Sequence, residues 1–299
     1  LNEQFKRPKD FGEVLDHTFR LSKKHFSNFF LILLIVMGPI FLIQAIIQMA
    51  SGMDFIGSNV TYFDQILSGL DGTGEAVPTT SIGGDLLILV CSVLFFPVAE
   101  AAIFIAINHI RNGREFSVGG VLKDAFSKFG SILGSSLLFG LIVFGLIIVP
   151  LIIVVMTTVS LAFTNPFAAI ITGILLFLGC FIGLGLLITR WSFYIGAVVI
   201  EGEMPGLGRS WQLTKKRTWF SFGLFIIFWL ITLCISGAIE AALGFVLGNG
   251  VLLFLIINFV SVFTSLIMFV GYAVIYFDLR VRNDADDLKE MLDEYNEKE

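Results

Sequence analysis

The sequence predicts an all-α integral membrane protein with six transmembrane helices, and three observations predict it. Hydrophobic residues fill 56% of the 299 positions and charged ones only 14%, with 32 Phe and a mean hydropathy of +0.91, too apolar for a soluble domain of this length. The apolar residues gather into six runs, each near the ~20 residues needed to cross roughly 30 Å of hydrocarbon. Finally, all 19 Lys and Arg lie on one side of those runs, the asymmetry expected when basic segments stay in the cytoplasm.

The predicted spans are 29–50, 85–110, 131–156, 167–189, 219–246 and 251–278. Short loops at 157–166 and 247–250, and a longer one at 51–84, close successive pairs on the base-free side. The bases sort to the other side. Lys6, Arg7, Lys9, Arg20, Lys23 and Lys24 precede the first span, and Arg111, Arg114, Lys123 and Lys128 follow the second. Arg190, Arg209, Lys215, Lys216 and Arg217 follow the fourth, and Arg280, Arg282, Lys289 and Lys298 follow the sixth. Both termini are therefore expected in the cytoplasm. The first apolar run reads as a full span rather than the core of a cleavable signal peptide. The net charge of -5 says little about partners, because the charges are segregated. Nothing suggests nucleic-acid binding.

An amphipathic segment precedes each odd-numbered span. In 118–129, Val118, Val121, Leu122, Ala125, Phe126 and Phe129 recur at helical spacing, opposite Lys123, Asp124 and Ser127. In 10–27, Phe11, Val14, Leu15, Phe19 and Phe26 oppose Glu13, Asp16, Arg20, Lys23 and Lys24. Segment 206–219 is less regular, since Lys215 falls on its apolar arc and Leu213 off it; a long Lys stem can snorkel there. Each is expected to lie in the cytoplasmic interface, held by aromatics and by anionic lipid headgroups.

The chain then divides into a cytoplasmic amphipathic segment 1–28, a six-helix domain 29–279 and an acidic cytoplasmic tail 280–299. The membrane domain reads as three units, 10–110, 117–189 and 206–279. Phe19–Phe26, "FRLSKKHF", returns 192 positions later as Trp211–Thr218, "WQLTKKRT". Either the units share an origin, or any helix at that interface converges on aromatics and bases. The tail carries a Leu288, Met291, Leu292, Tyr295 stripe that suits a short amphipathic helix; disorder of its last residues suits the composition equally.

Within the spans, Glu100 is the outstanding polar residue. It lies eleven positions before Arg111, about 16 Å along a helix and so near the midplane. Ionised carboxylates there cost about 3 kcal/mol on insertion scales, so Glu100 should face the bundle interior, pair or be protonated. It is either a proton or cation site or a structural polar contact. Arg190, at the end of the fourth span, is its candidate partner, or else a base snorkelling to the interface.

Gln44, Gln48 and Asn258 suit interhelical hydrogen bonds. Pro39, Pro97 and Pro150 should kink the first three spans. Gly179 with Gly183, and Ala102 with Ala106, should allow close helix approach. The loop 51–84 is acidic through Asp54, Asp64, Asp71 and Glu75. Its charge follows from topology, or attracts cationic peptides. Cys91, Cys180 and Cys234 lie in apolar runs without metal or disulfide spacing. His17, His25 and His109 are scattered, and no catalytic motif, metal site or cofactor site is expected.

Three segments carry a family resemblance: "FGEVLDHTFRLSKKHF", "RWSFYIGAVVIEGEMPGLGRSWQLTKKRTWFSFG" and "VIYFDLRVRNDADDL". They resemble the glycerophosphoryl diester phosphodiesterase membrane-domain family, a bacterial six-helix module. The phosphodiesterase chemistry of two-part relatives belongs to a separate soluble barrel, which this chain is expected to lack. The resemblance implies a bacterial cytoplasmic-membrane protein with Glu201, Arg209, Ser210, Trp211 and Asp278 to Arg282, including Arg280, as matching positions. Lys215 and Lys216 fall in the same interfacial signature. A helix-end role or a ligand site would each explain these residues. The functional expectation is a non-catalytic accessory, scaffold or regulatory component of the cell envelope, contacting lipid and an unidentified protein partner. A transporter of a lipid-like or amphipathic substrate is the alternative, and immunity to membrane-active peptides a third.

Overall fold

A computed structural model describes residues 5, 7–57, 82–248 and 250–296. Its elements are helices: α1 (Phe11–Lys24), α2 (Phe26–Ala50), α3 (Ile82–Arg111), α4 (Val118–Ser127), α5 (Phe129–Ala162), α6 (Pro166–Ser192), α7 (Leu207–Thr214), α8 (Thr218–Leu247) and α9 (Val251–Asn296). Between α6 and α7 a single turn, Tyr194–Gly196, runs into a π-helical segment, Ala197–Glu201. Six helices are long and apolar enough to cross a membrane, and they contain the six predicted spans. The chain is a polytopic helical membrane protein.

Two boundaries moved for local reasons. The predicted loop 157–166 shrinks to three residues, because α5 runs on to Ala162. Thr157, polar enough to suggest a loop, instead donates its Oγ1 to Ile153 O at 2.7 Å, which satisfies the hydroxyl within the helix. Asn165 then caps α6 through Ala168 N at 3.1 Å, with Pro166 in the first turn. At the other end, α9 does not stop at 278. Its backbone stays helical to Asn296, so most of the predicted tail continues the sixth span.

A helix forms over each predicted amphipathic segment. In α1 the face buried in protein is Val14, His17, Thr18, Leu21 and Ser22, whereas Phe19 is 40% exposed. The predicted apolar arc is thus divided between protein and surroundings. The irregularity at 206–219 disappears, because α7 ends at Thr214. Leu213 is buried and Lys215 lies in the turn beyond. The breaks before α2 and α5 are alike: His25 (φ -113°, ψ 24°) and Lys128 (φ -99°, ψ 12°) each interrupt the helix alone. Three residues, Lys215 to Arg217, separate α7 from α8.

The chain forms two compact units. The first comprises Leu1–Phe11, Lys128–Phe225 and Ile275–Glu299. Here α5 and α6 form an antiparallel hairpin, and α6 packs on α7. Gly185 of α6 lets Phe222 approach closely: a Cβ there would lie 2.4 Å from the ring. Among the described residues Gly179 and Gly183 have nothing within 4 Å of the same position, so on α6 the close approaches fall at Gly185 and at Gly173, where a Cβ would lie 3.2 Å from Thr158, and not at the predicted glycine pair.

The second unit comprises Gly12–Ser127 and Ile226–Val274. Its centre is α3, whose Ala101, Ala102, Ile103, Phe104, Ala106 and Ile107 are fully buried. Edge-to-face pairs, Phe104 with Tyr272 at 5.4 Å and Phe96 with Phe269 at 5.0 Å, join it to α9. The start of α9 is satisfied by the chain after α2: Val251 N donates to Asp54 O at 3.1 Å and Leu252 N to Phe55 O at 2.9 Å. Asp64, Asp71 and Glu75 of the acidic loop lie outside the described residues.

Pro39, Pro97 and Pro150 all sit inside continuous helices. Asn258 is turned to its own helix, donating Nδ2 to Phe254 O at 2.9 Å, rather than across to a neighbour. The three cysteines are free thiols.

Candidate functional site

In the first unit, segments far apart in sequence meet around two carboxylates. Glu201 closes the π-helical segment, which ends at Gly202 with φ 75°. Such i→i+5 segments recur at functional sites because they re-aim side chains within an otherwise regular helix. Glu201 Oε2 accepts from Arg209 Nε of α7 at 2.7 Å. Its Oε1 accepts from Tyr276 OH of α9 at 2.7 Å and lies 3.5 Å from Arg280 Nε. The carboxylate side chain is only 11% exposed.

Asp278, midway between Tyr276 and Arg280 on α9, is fully buried at its side chain. Its Oδ1 accepts from the backbone N of Lys9 at 2.7 Å, and its Oδ2 from Arg282 Nε at 2.9 Å. Arg282 Nη2 then donates to Lys9 O at 2.7 Å. Arg282 and Asp278 together grip both backbone polar groups of one residue, clamping Lys9 against α9. Phe5 packs edge-to-face on Phe277 at 5.9 Å, with the Lys9 ammonium 5.2 Å from the Phe5 ring.

Ser210 and Trp211 serve the end of α6. Ser210 Oγ donates to Arg190 O at 2.7 Å and accepts from Phe193 N at 3.0 Å. One hydroxyl thereby satisfies a terminal carbonyl and an interrupted amide. Trp211 packs against Trp191 at 5.3 Å and lies under the Arg190 guanidinium at 4.4 Å. Arg190 Nε donates to Thr218 Oγ1 at 3.2 Å. Gly206 makes the tight return to α7 possible. It has φ 74°, and a Cβ there would lie 2.6 Å from Tyr194 O.

The nine interfacial positions therefore divide. Glu201, Arg209, Asp278, Arg280 and Arg282 belong to the carboxylate network, and Ser210 and Trp211 to the α6 terminus. Lys215 and Lys216 are exposed in the following turn. The sequence reading missed Lys9, Tyr276 and the π-helical segment. Tyr276, in "VIYFDLR", carried a faint signal: a hydroxyl in an otherwise apolar run, two positions before an aspartate.

Glu100 belongs to the second unit and Arg190 to the first. Arg190 is held by Thr218 and Trp211, as above. Glu100 is half-buried between fully buried Ala99 and Ala101 on α3, and no hydrogen bond or ion pair joins it to another described residue. A cavity of about 120 Å³ lies one turn and more away, lined by Ser92 and Phe96 of α3 and by Ser261 and Ser265 of α9. Glu100 does not line it. Among the described residues no group of three or more His, Cys, Asp or Glu is placed to hold a metal ion.

Comparison with family models, curated proteins and solved structures finds no match.

Proposed function

We propose that the protein is a non-catalytic accessory, scaffold or regulatory component of the bacterial cell envelope, a multi-pass protein of the cytoplasmic membrane with both termini in the cytoplasm. The observation that carries this reading is the engagement of Glu201 and Asp278. A general acid or base needs a carboxylate oxygen open to substrate; here every oxygen of both groups already accepts a hydrogen bond from Lys9, Arg209, Tyr276 or Arg282. This arrangement fixes three chain segments in one geometry, as a platform for a partner requires. The α5–α6 hairpin supports the same reading, since the most apolar windows of both helices have no buried residue and their sides meet lipid or a partner. The resemblance to the glycerophosphoryl diester phosphodiesterase membrane-domain family fits a membrane module whose two-part relatives carry their catalysis in a separate soluble barrel. The placement of all 19 Lys and Arg on one side supports the orientation, with α1, α4 and α7 resting among anionic headgroups.

The second reading, transport of a lipid-like or small amphipathic substrate, is favoured by Glu100. A half-buried carboxylate within a span, engaged by no described residue, is a common station for a proton or cation.

Complementation of a deletion strain separates the two. The scaffold reading expects Glu100→Gln to restore the envelope phenotype and Glu201→Ala to fail at equal membrane abundance. Proton-coupled uptake into proteoliposomes that disappears in Glu100→Gln would sink it in favour of transport.

A further inference from the structure

Beside the carboxylate network, the first unit carries a second cluster of bases with a different environment. The turn Lys215 to Arg217 and the first residues of α8 face the end of α6 across a cleft of about 590 Å³. Arg190, Lys215, Lys216 and Arg217 supply four cations to its wall, and among the described residues no carboxylate lines it. Elsewhere in this unit the guanidinium groups of Arg209, Arg280 and Arg282 each meet Glu201 or Asp278. Within the cleft Arg190 is oriented by a hydroxyl and by the Trp211 ring, and Arg217 lies over Phe220 at 5.0 Å. Aromatic stacking fixes the guanidinium planes without neutralising them.

The first turn of α8 opens into the same cleft through Thr218, Trp219 and Phe220. The amides of a helix's first turn lack intrahelical acceptors and favour an anion. The cleft also has an apolar side, from Leu186 and Leu187 of α6, and Trp219 at its mouth is 67% exposed. Cations, helix amides and an amphipathic indole, next to the ends of two spans, suit a phosphate that arrives attached to an apolar body.

We propose that this cleft binds the phosphate of an anionic phospholipid headgroup, with Arg190 and the Lys215–Lys216–Arg217 turn as its ligands. The proposal rests on the reading that the basic side of the protein meets lipid headgroups, and it names one site for that contact.

The test is thermal stabilisation of the purified full-length chain in neutral micelles, titrated with phosphatidylglycerol, phosphatidylcholine or inorganic phosphate. Phosphatidylglycerol is expected to stabilise the wild type at concentrations where phosphatidylcholine and inorganic phosphate do not. Arg190→Gln, and separately the exposed pair Lys215→Gln with Lys216→Gln, should each weaken that effect about five- to ten-fold or more. The pair keeps the test informative should Arg190→Gln fold poorly. Lys23→Gln with Lys24→Gln, bases at the end of α1, should change it less than about two-fold.

A phosphatidylglycerol preference that survives both cleft variants overturns the assigned site and leaves the general headgroup contact standing. No preference in the wild type overturns both. Equal stabilisation by inorganic phosphate, lost in the same variants, overturns the lipid as the source of the phosphate.

Discussion

Single positions around the Glu201 network differ sharply in what they tolerate, and two glycines show how. Gly202 and Gly206 both hold left-handed backbone, with φ of 75° and 74°. A Cβ at Gly202 would meet nothing within 4 Å, whereas one at Gly206 would strike Tyr194 O. Gly202→Ala should cost about 1 kcal/mol and Gly206→Ala about 3 kcal/mol or more. Denaturation in detergent measures both, and equal losses would show that Tyr194 and Gly206 are not so close. His25, between α1 and α2, has its pKa lowered from the ordinary 6.5, first by burial and then by Lys24. The folded protein therefore prefers the neutral ring. Its contribution to stability is present above pH 6.5 and is lost as pH falls through the lower folded value. Melting temperature should fall on acidification over that range, and His25→Phe, which can still pack near Phe29 and Phe116, should flatten the dependence.

Individual helices show where periodicity suffices and where it does not. The apolar runs predicted α2, α3, α8 and most of α9 because a span is a local property, decided by some twenty consecutive side chains. The end of α5 escaped because threonine reads as a loop residue until its hydroxyl is seen to bond its own helix. The glycine pair in α6 was the natural packing site by spacing, yet which glycine faces Phe222 depends on how α8 lies against α6. Gly185→Val should therefore destabilise by about 1–3 kcal/mol through overpacking. Gly179→Ala and Gly183→Ala should be neutral or stabilising by up to about 1 kcal/mol. Thermal melts in which all three behave alike would remove Gly185 as the contact point.

For the whole molecule, the distribution of bases gave a topology that labelling can test. In a cysteine-free background, Asp54→Cys, beyond α2, should react with an impermeant maleimide from outside intact cells, and Lys123→Cys in α4 only after permeabilisation. Reaction of both from the same side would refute the orientation. The candidate site was legible only in part. Glu201, Arg209, Asp278, Arg280 and Arg282 stood out in the sequence as interfacial positions, but their mutual contacts did not. Asp278 and Lys9 stand 269 positions apart, and no local pattern ties a residue near the start of a chain to the end of its last span. Tyr276 was hidden for a related reason: in an apolar run it counts as one more hydrophobic residue until a carboxylate is found at its hydroxyl.

The π-helical segment Ala197–Glu201 has a genetic consequence. A wider turn takes up one residue more than an α-helix of about the same rise and rotation, so the side chains that follow keep the register they would have with one residue fewer. In-frame loss of a single codon from this segment would leave composition, hydropathy and span count unchanged. The chain could then relax to ordinary α geometry with Glu201 still aimed toward Arg209 and Tyr276, whereas relaxation of all five residues at unchanged length would rotate it away by about a quarter of a turn. A one-residue deletion among its apolar residues should therefore be better tolerated than one in the regular helix before it, where every following side chain would turn by about 100°.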